Sequence, residues 1–75
     1  MSVSYNKLWK LCIDNNMKKM DLCRATKMSN RTLAKLSHNE NVSLEVLLRI
    51  CQVFHCSLDD IVEVVHDDLG GYYGE

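Results

Sequence analysis

Seventy-five residues leave room for one domain and one core, because a chain this short buries only a modest share of its surface. Proline is absent and the three glycines all fall in the last six residues, so nothing before Gly70 is an obligate helix breaker and an all-α domain is favoured. The formal net charge of −1 conceals an asymmetry: residues 1–49 hold all nine Lys and Arg against four acids, while residues 50–75 hold six acids and neither Lys nor Arg.

Such segregation describes an electrostatically polarised molecule, one side of which suits a polyanion. No run approaches the roughly 18 apolar residues of a membrane span. Met1 to Tyr5 lacks the basic-then-apolar pattern of a signal peptide, so the reading is a cytoplasmic protein without a membrane partner.

In chain order, Tyr5, Leu8, Trp9, Cys12 and Ile13 follow the i, i+3, i+4, i+7, i+8 spacing of an amphipathic helix. Ser4 is its expected N-cap, and Asn15-Asn16 suit the left-handed conformation that ends a helix. Met17 then re-enters the core. A second helix is expected from about Lys19 to Thr26 and a third from about Asn30 to Leu36, joined by Lys27-Met28-Ser29 with Ser29 as N-cap.

The stretch from Ser37 to Val42 is polar and turn-like. A fourth helix starts after Ser43, with Val42 and Leu47 spaced as a hydrophobic staple. Its expected inner face is Leu44, Leu47, Leu48, Cys51 and Phe54, widened by Val46 and Ile50. A fifth helix is expected from Ser57, which Asp60 helps to cap, with Leu58, Ile61, Val62 and Val65 buried. These elements make residues 1–66 one helical domain, and residues 67–75 an acidic, Gly-Tyr-rich mobile tail.

The four cysteines, Cys12, Cys23, Cys51 and Cys56, sit where apolar stripes want small residues. They read as reduced core residues, since free cysteine behaves as a small hydrophobe. No paired C-x-x-C supplies a zinc-like ligand set, and His38, His55 and His66 lie in separate segments, so no metal site is expected. Trp9 reads as a core anchor, because single-strand binders interleave several aromatics with basic residues.

Lys19 to His38 is the informative stretch. Two short helices meeting near a right angle across a tight turn need a small residue at the crossing, and Cys23 supplies it. Leu22 points inward, Met28 plugs the turn, and Leu33 and Leu36 anchor the third helix from beneath. Asn30, Arg31, Thr32 and Lys35 are left on its outward face, all able to hydrogen-bond a base edge or a phosphate.

These residues resemble the Xre/Cro-like helix-turn-helix regulators, the phage-repressor type. The resemblance is carried by Asp21 to Ser29, Thr32 to Leu36, Leu44 to Phe54 and Cys56 to Ile61, and it covers about Leu8 to Val65. It implies a compact five-helix, lambda-repressor-like domain with the helix-turn-helix at helices 2 and 3. It further implies a transcriptional regulator, in all expectation a repressor, that reads double-stranded DNA with Asn30, Arg31, Thr32 and Lys35. Phosphate contacts are implied for Lys18 and Lys19 at the start of the second helix, extended by Lys27 and Ser29 at the turn.

Pairing of two copies on a palindromic operator is also implied, with the fifth helix and Tyr72-Tyr73 as candidate contacts. Three positions depart from the family pattern: Lys27 stands at the usual glycine, Cys23 at the usual alanine, and Ser37-His38-Asn39-Glu40 replaces Glu-x-Gly.

No glycine-rich phosphate loop, nucleophile elbow or paired metal motif is present, so neither an enzyme nor a cofactor is expected. The alternative reading is a protein-interaction module on the same fold, such as an antitoxin or anti-repressor. The acidic carboxy-terminal third and pI of about 6.3 favour it; the locally basic face favours DNA.

Overall fold

The computed structural model describes residues 2–66. Four α-helices form where the apolar period of the sequence places them: α1 (Asn6–Asp14), α2 (Lys19–Thr26), α3 (Asn30–Ser37) and α4 (Leu44–Phe54). α2 is the central element and packs against α1, α3 and α4. Tyr5, Leu8, Leu22, Leu36, Ile50 and Ile61 are the largest fully buried side chains, one or more from each helix or its flank. Helices of 8 to 11 residues are too short to persist alone in water, so this shared core is what holds them.

Local capping chemistry sets most of the ends. Ser29 Oγ accepts the Thr32 N–H at 3.1 Å and Ser43 Oγ accepts the Val46 N–H at 3.3 Å, as expected of N-cap serines. Each helix stops at a left-handed residue that is not glycine: Asn16, Lys27, Asn39 and His55, with φ between 52° and 58°. The next amide then turns back onto the helix. Met17 donates to the Cys12 carbonyl at 2.8 Å, Met28 to Cys23 at 3.2 Å, Glu40 to Lys35 at 2.8 Å and Cys56 to Cys51 at 3.1 Å. These bonds satisfy carbonyls that the helix end leaves unpaired.

The expected fifth helix is absent, and the fold among the described residues is mostly helical rather than all-α. Ser57 N–H does bond the Asp60 carboxylate at 3.0 Å, but the cap opens only a single 3-10 turn at Leu58–Asp60. The chain then extends as β2 (Glu63–Val65), antiparallel to β1 (Ser2–Ser4), with Val3 opposite Val64. The physical reason is the β-branched run Ile61, Val62, Val64 and Val65, stiff at χ1 and suited to a pleated strand once a partner strand is present.

Ile61 alone of the expected buried set is fully buried, whereas Leu58 and Val65 are exposed. At the other end, strand β1 displaces Ser4 from the cap position, which Tyr5 takes; Ser4 Oγ still accepts the Asn6 N–H at 3.3 Å.

Two further expectations shift. Leu44 and Leu48 lie 58% and 51% exposed, so the buried face of α4 is centred on Ile50 and Cys51, with Val46, Leu47 and Phe54 packed beside them. Ile13, in the last turn of α1, is 73% exposed, so the buried face of that helix ends at Cys12. Cys12, Cys23 and Cys51 are buried, Cys56 is half-buried, and none is bridged. Burial pushes the Cys12 and Cys56 thiols up, which keeps them in the unreactive protonated form. The expected tail, residues 67–75, with Tyr72 and Tyr73, lies outside the described residues.

Candidate nucleic-acid interface

The α2–α3 corner is built from short-range chemistry. α2 starts at Lys18, whose N–H donates to the Asp21 carboxylate at 2.9 Å. Past its midpoint, Cys23 is 6% exposed and its thiol donates to the Met28 carbonyl at 3.1 Å, tying the crossing point to the residue that plugs the turn. Thr26 is buried and returns its hydroxyl to the Leu22 carbonyl at 2.8 Å. Lys27 takes the left-handed position at φ 58°, so the chain reverses within Lys27-Met28-Ser29 and α3 begins at Asn30.

α3 is pinned by Leu36, which is fully buried, and by the half-buried Leu33. Asn30, Arg31 and Lys35 are exposed, while Thr32 is half-buried with its hydroxyl 3.1 Å from Ser29 Oγ. Asn30 is not wholly free: its Oδ1 lies 3.9 Å from the Cys23 thiol. Ala34 is also exposed, on the same side of the helix as Arg31 and Lys35 by the three- and four-residue spacing. It was not among the expected contacts, because a lone alanine carries no polar signal.

The basic residues divide between the two ends of α2. Lys18 and Lys19 are exposed at its N-terminus, where unpaired N–H groups add partial positive charge. The Lys19 ammonium lies 4.6 Å from the centroid of the Trp9 ring and donates to Ser37 Oγ at 3.2 Å, so it bridges α1 and α3. Lys27 lies at the far end of α2, about 12 Å away at 1.5 Å per residue. It lines an open cleft there with Arg49, Gln52 and His55.

A model of the Cro/C1-type HTH DNA-binding domain matches residues 7–67. The chain belongs to the Cro/C1-type helix-turn-helix DNA-binding domains. This Cro/C1-type domain is similar to a solved structure, the transcriptional regulator VanUg, at 55% identity and a TM-score of 0.85, over 88% of each chain. Among curated proteins no match is found. Among the described residues no helix is long and apolar enough to cross a membrane.

The loop after α3 carries a feature that sequence reasoning missed. Tyr5 is 1% exposed, donates its hydroxyl to the Glu40 carbonyl at 2.8 Å, and gives its N–H to Asn39 Oδ1 at 3.1 Å. The segment that follows α3 of this Cro/C1-type domain is therefore tied to the start of α1. Burial pushes the Tyr5 phenol up, so it remains a donor. No local signal marked this contact, because Tyr5 lies 34 residues from Asn39 and 35 from Glu40.

Lys27 gives a test of the turn. A left-handed non-glycine residue costs about 1 kcal/mol, and glycine is the usual occupant of such a helix end. Lys27→Gly is therefore expected to raise stability by about 0.5–1 kcal/mol in urea unfolding. An unchanged or lower midpoint would show that the lysine stem contributes more than its backbone geometry costs.

Proposed function

We propose that the protein is a sequence-specific transcriptional regulator that lays α3 in the major groove of double-stranded DNA. The observation that carries this reading is the outward α3 face, Asn30, Arg31, Ala34 and Lys35, set beside the basic N-terminus of α2 within a Cro/C1-type domain. Arginine pairs bidentately with guanine and asparagine with adenine, and an alanine methyl suits the thymine methyl. Thr32, expected from the sequence to reach a base edge, is half-buried and linked to Ser29 through its hydroxyl, so the two together suit a phosphate at the N-terminus of α3 instead. Lys18, Lys19 and Lys27 supply further phosphate contacts. The similarity to a transcriptional regulator supports regulation as the outcome.

Occlusion of a promoter by the bound domain makes it a repressor. Two copies on half-sites about 34–36 Å apart complete the operator complex. No catalysis, cofactor or small-molecule substrate enters this mechanism.

Selection of bound sequences from a random duplex pool, followed by a salt titration on the selected site, tests the proposal. Enrichment of a palindromic motif is expected, with log affinity falling against log salt at about −0.9 per neutralised phosphate. No enrichment, or an affinity flat in salt, would favour the protein-interaction reading instead.

A further inference from the structure

Lys19 is exposed, yet it is held on two sides. Its ammonium sits over the Trp9 ring of α1 at 4.6 Å and donates to Ser37 Oγ of α3 at 3.2 Å. An ammonium has three donors; one is committed to Ser37 and one face lies on the ring, which leaves a donor free toward solvent. A lysine stem free in water surrenders considerable rotamer freedom when its head is fixed on a partner. Here much of that ordering has already occurred in the free protein. Trp9 is the chain's one tryptophan, half-buried with its ring presented to α2. The same ammonium acts on the Cys12 thiol, one turn further along α1.

We infer that Trp9 is a positioning residue for DNA-backbone contact: with Ser37 it holds the Lys19 ammonium, pre-aimed at a phosphodiester, across α1, α2 and α3. The inference rests on the proposed DNA binding and assigns to it a residue that itself touches no DNA. The three-helix hold also has a geometric consequence. A phosphate seated on Lys19 is placed relative to the end of α3 through Ser37, so backbone contact sets how α3 enters the groove.

The test measures binding of the full chain to a random-sequence duplex over a salt series. The forms compared are the parent, Trp9→Leu, Ser37→Ala, Lys19→Ala and each double variant with Lys19→Ala. Lys19→Ala is expected to reduce the salt slope by about 0.9. Trp9→Leu should weaken binding about 2- to 12-fold, the cost of ordering one long side chain that binding then has to supply, and shift the slope toward that of Lys19→Ala. In the Lys19→Ala background neither Trp9→Leu nor Ser37→Ala should cost anything more, an outcome that a purely structural tryptophan does not produce.

Equal losses with and without Lys19, or an unaltered slope in Trp9→Leu, would overturn the inference. If Trp9→Leu does not fold, Ser37→Ala on an exposed site decides by the same comparison. A parent that binds no duplex would overturn the DNA-binding reading. A parent that binds with steep salt dependence, matched in slope by Lys19→Ala, would overturn only the role assigned to Trp9.

Discussion

Replacing Leu36 by alanine is expected to cost about 2–5 kcal/mol, the range for truncating a buried leucine without full collapse of the cavity. Leu36 is fully buried and is the only fully buried residue of α3. Its eight-residue helix lies below the about 12–15 residues that an isolated helix needs, so loss of the anchor acts on the whole of α3. Small domains hold about 5–15 kcal/mol in total, and a domain of this size sits toward the low end.

Much of the population is then unfolded near physiological temperature. Urea unfolding followed by far-ultraviolet circular dichroism measures the effect. Leu33→Ala, at a half-buried position, should lose clearly less. Equal losses at the two sites would mean that α3 is not seated through Leu36.

Substitution of Arg31 is expected to affect the proposed DNA binding rather than folding. Its side chain is exposed and has no hydrogen-bond partner among the described residues, so Arg31→Ala should change stability by no more than about 0.5 kcal/mol. On the selected operator it should cost about 1–3 kcal/mol, roughly 5- to 150-fold in affinity, and relax preference at one or two base pairs. Asn30→Ala should follow the same pattern with a smaller loss, because its amide oxygen already faces the Cys23 thiol. Lys18→Ala, by contrast, should weaken selected and random duplexes alike. Parental affinity of both α3 variants for the selected site would show that another surface reads the bases.

Much of the α2–α3 corner was legible in the chain. The crossing cysteine, the plug at Met28, the Ser29 cap and the outward polar positions of α3 depend on interactions within a few residues. Spacing and residue type encode such interactions directly. Lys27 at a left-handed position was legible only through the family resemblance, which sets it where glycine is usual.

What was misread depends on partners distant in sequence. The period of Leu58, Ile61, Val62 and Val65 fits a helix face as well as it fits a strand beside a partner. The choice was made by β1, more than fifty residues away and too short to announce itself. Leu44 and Leu48 carry the same apolar signal as Ile50, and only the direction from which α2 packs on α4 distinguishes them.

By itself, then, the sequence determined the four helix positions, the helix-turn-helix and its polar face, because capping, period and turn chemistry are local. Only the tertiary structure decided that the last segment would be a strand, that Tyr5 would hold the loop after α3, and that Lys19 would rest between Trp9 and Ser37. Each of those outcomes requires surfaces from separate elements to meet, and no local pattern specifies such a meeting.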